Sequence, residues 1–257
     1  DWLDKGHHAR MGYMANHFEK RTDPTVLVEG ARSVISVLYN YYTDKQQNDP
    51  KAPIISKYAY GRDYHFVLKE KLRGLFDLIN ENFGPISGRI FVDSAPVLDR
   101  AWASEAGLGW IGKNSHLISR THGSFVFIGE IICDLELEYN AVPENDFCGS
   151  CNKCIEACPT GAILPNRTLD SRRCISYQTI ENKKDIDEDI TADLSNRIFG
   201  CDICQDVCPW NRKALRHNEF AFDPSVDLMN MRKEDWTDLD DARFKDLFGD
   251  SPVMRAG

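Results

Sequence analysis

Three features of the sequence predict an α/β (α+β) domain, then a compact cysteine-rich module, then a short helical C-terminal segment. Stretches with strand and helix periods alternate through the first 139 residues. Eight of the nine cysteines crowd into residues 148–208. Beyond Trp210 the chain turns acidic and reads as short helices.

The elements follow in order. Ala9–Phe18 reads as a short helix. Ser33–Tyr39 (SVISVLY) is rich in β-branched residues and reads as a strand. Across Tyr64–Asn80, the residues Phe66, Val67, Leu72, Leu75, Phe76 and Ile79 recur with the helical period. Arg89–Val92 is a strand and Leu98–Ala106 a helix. Ser115–Ile118 and Phe125–Ile132 are further strands, the second apolar enough to be central. Strands separated by helical stretches imply layered α/β packing. Glu136–Asp146 is a turn-rich acidic connection, so three units are expected: 1–139, 140–212 and 213–257. Two short acidic helices are expected in the last. The opening Asp-Trp-Leu-Asp-Lys-Gly resembles the interior of a helix, and both ends of the sequence read as cuts in a longer polypeptide.

At 257 residues, 42% of them apolar, the chain can bury a sizeable core. No run of eighteen apolar residues is present, so no membrane span is expected. Nor is there a basic segment leading into an apolar run, so no secretory signal is expected. A cytoplasmic monomer is the default expectation. The net charge of −9 argues against non-specific nucleic-acid binding but leaves room for a local basic patch. Basic residues group at Lys20-Arg21, at Lys69, Lys71 and Arg73, and at Arg212, Lys213 and Arg216. As plain structure these are solvated faces.

The cysteines carry the strongest signal. Cys148-x-x-Cys151-x-x-Cys154-x-x-x-Cys158-Pro159 is the bacterial ferredoxin run, in which three thiolates hold one [4Fe–4S] cubane and the fourth turns to the other. The second run, Cys201-x-x-Cys204-x-x-x-Cys208-Pro209, has Ile198 where a fourth cysteine would stand. Cys174 is the nearby substitute. Elimination assigns Cys148, Cys151, Cys154 and Cys208 to cluster one, and Cys158, Cys174, Cys201 and Cys204 to cluster two. Cys133, inside an apolar strand, is read as a buried core residue. The bland alternative is a pair of Cys₄ zinc sites, but such sites seldom use three tandem cysteines closed by Cys-Pro. Two adjacent cubanes make a conduit for single electrons. Because a ferredoxin needs only the module, the preceding domain is expected to bind what the electrons reduce.

One motif is a decoy. Gly107-Leu108-Gly109-Trp110-Ile111-Gly112 matches G-x-G-x-x-G, but a helix precedes it and a strand follows, the reverse of a dinucleotide site. Its glycines are read instead as letting the backbone approach some other flat or bulky ligand.

Several longer phrases remain: GHHARMGYM (6–14), YAYGRDYH (58–65), VDSAPVLDRA (92–101), AGLGWIGKN (106–114) and CQDVCPWN (204–211). Together with the cysteines they resemble the epoxyqueuosine reductase family along nearly the whole chain. The resemblance implies a cobalamin-binding first domain, related to that of reductive dehalogenases, beside the nearer cluster. It implies reduction of epoxyqueuosine to queuosine at the tRNA wobble position, the last step of queuosine biosynthesis. In that scheme cob(I)alamin, fed through the two [4Fe–4S] clusters by an unidentified electron donor, acts on the epoxide carbon.

The same resemblance makes Asp93 the proton donor to the opening ring. An aspartate in that role is expected to be desolvated or placed near negative charge, which would raise its pKa. Ser56, Asp93, Leu117, Ser176 and Asp202 stand where the family contacts the corrin. Tyr64 and His65 are expected to line the pocket, His65 as a cobalt ligand or second acid. Arg10, Met11 and Tyr13 are expected to flank it. Some relatives have a cysteine at the position of Ser56, so a thiol role is excluded here. As plain structure, Asp93 would be a turn residue, His65 a helix-start residue, and 9–18 an ordinary amphipathic helix. The tRNA is expected to present its anticodon loop with the modified base flipped out, with Arg62, Arg212 and Lys213 as candidate phosphate contacts. Many family members carry a helical-repeat domain after the cluster module; this sequence stops before any. Two rivals stand beside this reading: another cobalamin and iron–sulfur enzyme such as a reductive dehalogenase, and a non-catalytic electron carrier whose first domain serves for docking.

Overall fold

A computed structural model describes residues 1–140 and 145–256. The core of the first part is a three-stranded antiparallel sheet. Val126–Cys133 lies in the middle, paired with Ser33–Asn40 on one side and Gly88–Phe91 on the other. The expected central strand is therefore central. The sheet is antiparallel, so the domain is of the α+β kind rather than a parallel α/β layer. The central strand is nearly buried throughout, with Phe127 and Ile131 packed in one apolar cluster and Ile132 in another.

Tyr64–Phe83 forms a 20-residue helix. It starts where the Asp63 carboxylate accepts the His65 backbone N–H at 3.0 Å, an N-cap, and stops at Gly84. Its inward residues Val67, Leu68 and Leu72 are 1–2% exposed and pack with Phe125, Phe127 and Ile131. A shorter helix, Asp99–Glu105, follows the third sheet strand in sequence.

The expected helix Ala9–Phe18 is absent. The chain makes a 3₁₀ turn at Gly12–Ala15 and then short helices at Phe18–Thr22 and Pro24–Leu27. Ala9 and His17 both take positive φ, +52° and +57°, and a left-handed residue ends a right-handed helix. The acidic connection Glu136–Asp146 falls partly on residues 141–144, outside the described residues.

Several contacts join the cysteine module to the first domain, a strand pair and a polar network among them. Ile54–Ile55 pairs in parallel with Arg197–Phe199. A buried polar network links Ser124 to Asn211 and Gln205: Asn211 Oδ1 accepts the Ser124 N–H at 2.7 Å, and Gln205 Nε2 donates to the Ser124 carbonyl at 2.9 Å. Gly123 makes this approach possible. It has φ +68°, and a Cβ there would lie 2.0 Å from Asn211 Oδ1.

Among the described residues the C-terminal segment holds four short α-helices, Val226–Asn230, Lys233–Thr237, Asp241–Phe248 and Pro252–Ala256, where two were expected. Leu228, Met231, Phe248 and Val253 pack on Ile55, Ala59 and Phe199. The tail thus covers the strand pair that joins the other two parts, and the Asp63 N–H donates to the Asp250 carbonyl at 2.6 Å.

Candidate active site

Asp93 follows the strand Gly88–Phe91 by two residues and takes φ +54°, uncommon for a non-glycine residue and typical of a constrained site. The first turn of the long helix faces it. Tyr64 Oη donates to Asp93 Oδ2 at 2.6 Å, and His65 Nε2 lies 3.2 Å from the same oxygen. His65 Nδ1 is 2.6 Å from Asp63 Oδ1. Tyr64 stacks on Phe127 with centroids 4.2 Å apart and planes 6° apart, which locks the phenol in place. The helix start thus positions Asp63, Tyr64 and His65 together, while the Asp93 side chain stays 61% exposed.

The electrostatics follow from this geometry. Burial alone would lower the His65 pKa, but the carboxylates of Asp63 and Asp93 outweigh it and raise the value. Burial would raise Asp93, but His65 and Tyr64 hold it below the usual carboxylate range. Burial and the Asp93 charge raise the Tyr64 hydroxyl, which stays protonated. The raised Asp93 pKa expected above is therefore not found. The neighbouring imidazole favours the Asp93 anion, and the two carboxylates favour a proton on His65. His65 turns both ring nitrogens toward carboxylates and its side chain is 7% exposed, while its buried Nε2 makes no hydrogen bond among the described residues.

The eight cysteines of the module fall into two neighbourhoods. Cys148, Cys151, Cys154 and Cys208 line a cavity of about 260 Å³, together with Lys113, Phe147 and Trp210. Cys158, Cys174, Cys201 and Cys204 form the other neighbourhood: Cys174 senses the charge of Cys158, and Cys204 that of Cys201 and Cys174. Cys204 also senses Cys154, so the two neighbourhoods touch. Burial pushes the Cys201 thiol up to about 11 and Cys204 well up, so loading iron must displace protons. The Ala162 N–H donates to Cys158 Sγ at 3.3 Å. Among the described residues no three Cys, His, Asp or Glu side chains close on a single-ion site. Four thiols around a void of this size suit a cubane better than one tetrahedral ion. Cys133 is fully buried in the core, as read from its apolar strand.

Lys113, directly after the phrase set aside as a decoy, was given no role by the sequence reading. Its ammonium donates to the Gly149 and Cys151 carbonyls and to Asn152 Oδ1 at 2.8–2.9 Å, pinning the first cluster loop. Two glycines, Gly109 and Gly112, face the strand Leu117–Ile118. A Cβ at Gly109 would lie 2.3 Å from the Ile118 carbonyl, so they let the hairpin Trp110–Ile111/Leu117–Ile118 close on itself.

The remaining predicted residues divide. Ser56 is 3% exposed, and its Oγ has no hydrogen-bond partner among the described residues. A buried orphan hydroxyl fits a pocket wall completed by a polar group. Asp202 accepts the Lys57 N–H at 2.8 Å, which ties the second cluster loop to the turn after Ser56. Tyr58, next along, senses the charges of both Asp202 and Asp93, so the Ser56 and Asp93 groups flank one region. Ser176 lies in the helix Ile175–Ile180, directly after Cys174. Leu117 is buried in its hairpin. Tyr13 stands half-exposed near Asp93 and Glu181. The Arg10 N–H donates to Tyr177 Oη at 3.1 Å. Arg62 is committed to a two-pronged pair with Glu70 at 3.0 and 3.3 Å. Arg212 and Lys213 make no ion pair among the described residues.

Comparison with known proteins adds independent findings. Residues 147–211 match the family model of the 4Fe-4S double cluster binding domain, and residues 21–94 match the model described as Epoxyqueuosine reductase QueG, DUF1730. The chain is 49% identical over 256 residues to an epoxyqueuosine reductase of Cyclobacterium marinum, covering 99% of this chain and 82% of that one. It is 52% identical over 254 residues to the same enzyme of Leadbetterella byssophila, with 99% and 82% covered. A crystal structure of an epoxyqueuosine reductase with an epoxyqueuosine-modified tRNA-Tyr stem loop superposes with TM-score 0.90 at 31% identity, over 99% of this chain and 68% of that one.

Proposed function

The chain belongs to the epoxyqueuosine reductase family, and we propose that it reduces epoxyqueuosine to queuosine at the wobble position of a tRNA anticodon loop, in the cytoplasm. The observation that carries this is the junction of two features: an open Asp93 gripped by Tyr64 and His65, and two thiol cages in the adjoining module.

Converting an epoxide to an alkene takes two electrons and two protons and releases water. When bound, two [4Fe–4S] clusters supply single electrons and cobalamin supplies a strongly reducing cobalt centre. Ser56, Tyr64, Asp93, Leu117, Ser176 and Asp202 would line the corrin site, and the orphan Ser56 hydroxyl supports that placement. The chain's own residues handle the proton. Protonated His65, flanked by two carboxylates, passes a proton to Asp93, and Asp93 delivers it to the oxygen of the opening ring. The Tyr64 hydroxyl fixes the direction of the carboxylate. Arg212 and Lys213, free of ion pairs among the described residues, are the candidate phosphate contacts beside the cluster module. Arg62 would first have to leave Glu70.

The test is anaerobic purification with iron, sulfide and cobalt analysis, followed by incubation with an epoxyqueuosine-containing stem loop and a one-electron reductant. Queuosine is the expected product. An unchanged stem loop with fully loaded protein would refute the reading.

A further inference from the structure

The mechanism leaves a fully buried carboxyl unused. Glu130 sits in the middle of the central strand with no exposed surface. It pairs across the sheet with Phe91, two residues before Asp93, and with Ser36 on the other side. The carboxyl of Asp99, in the first turn of its helix, meets it there. Both Glu130 oxygens, Asp99 Oδ1 and Ser36 Oγ lack a hydrogen-bond partner among the described residues. Two carboxylates that meet have four oxygens that accept and none that donates, and three of these four are buried. One proton between them removes the mismatch and halves the buried charge.

The charges around the pair are few. The helix Asp99–Glu105 contributes Arg100, whose guanidinium donates to the Ser115 carbonyl and acts on Asp99 and Asp93. The strand Ser33–Asn40 offers only neutral Ser36 at this level. The loop after Phe91 contributes Asp93, whose charge acts on both members of the pair, with His65 and Tyr64 on its far side.

We infer that Glu130 and Asp99 hold a shared proton behind the site and pass it to Asp93, supplying one of the two protons that the proposed epoxide reduction consumes. This rests on the functional reading above. The ring oxygen needs one proton as the first C–O bond breaks and another to leave as water. Asp93 carries one at a time and must be reloaded while the substrate covers it. His65 and the buried pair are two stores on opposite sides of it. The electrons come from the one-electron reductant, and the pair regains its proton from solvent between turnovers. Burial and mutual repulsion push both carboxyls up, consistent with a proton held at neutral pH.

The test uses loaded protein with Glu130→Gln, which keeps shape and adds a donor, and Asp99→Asn as the second variant. Infrared spectroscopy without substrate should show, in the parent at neutral pH, a protonated-carboxyl C=O band that shifts in D₂O and is missing in Glu130→Gln. Single-turnover rates on the stem loop should fall about tenfold or more in both variants. The pH profile and solvent isotope effect should also change, which a loss of packing alone would not cause. An active parent with no such band overturns the inference, as do variants that match the parent in rate, pH profile and isotope effect. If Glu130→Gln fails to fold, Asp99→Asn decides by the same readouts. A parent that shows the band but is inactive on the stem loop overturns the functional reading, and the delivery step with it.

Discussion

Asp93 is held by two opposed influences: burial disfavours its anion, and His65 with Tyr64 favours it more. Asp93→Asn keeps the shape and removes the transferable proton. Turnover should fall by about 10²-fold or more, with iron and cobalt content unchanged by elemental analysis. His65 offers a pH test. Its folded-state pKa is raised, so its charged form stabilises the fold. That contribution is full below the unfolded value of 6.5 and is lost as pH rises through the higher folded value. Calorimetry should therefore show the largest deficit of His65→Gln near pH 6 and a shrinking one above it. Asp93 was legible in the sequence only through resemblance. Its low pKa was not, because the expectation of a raised value considered burial and negative charge but not an imidazole brought in by another element.

At the scale of elements, the long helix was plain from its period and the central strand from its apolar run, since one face of each packs against the other. The segment 9–18 misled because two left-handed residues break a pattern that looks amphipathic. Glu130 did carry a signal in the sequence: a lone acid inside VFIGEIIC is a charge that a central strand has no plain reason to hold. Its partner Asp99 could not be found that way, because the sheet and a helix 31 positions away bring them together. Lys113 belongs to this scale as well, since it ties the hairpin region to the first cluster loop. Lys113→Met removes three donated hydrogen bonds, and cluster one should then be lost faster under air. Iron release should quicken while the cobalt content holds.

At the scale of the molecule, the cysteine assignment predicts an asymmetry. Cys174→Ala should remove about four iron atoms per chain, leaving cluster one, whereas Cys133→Ala should leave the iron content unchanged. Equal iron loss in both would refute the ligand set. The spacing of eight cysteines determined the clusters without any structure, because a cubane's thiolates come from a short local run plus one return. The periods of the strands and helices determined that a mixed domain precedes them. The tertiary structure alone decided the rest: that the sheet is antiparallel, that the tail covers the joint between the parts, that His65 turns both nitrogens to carboxylates, and that Glu130 meets Asp99 beneath Asp93. The physical reason is that hydrophobic periodicity reports which face of an element is buried, not which element covers it, and a pKa depends on that second fact.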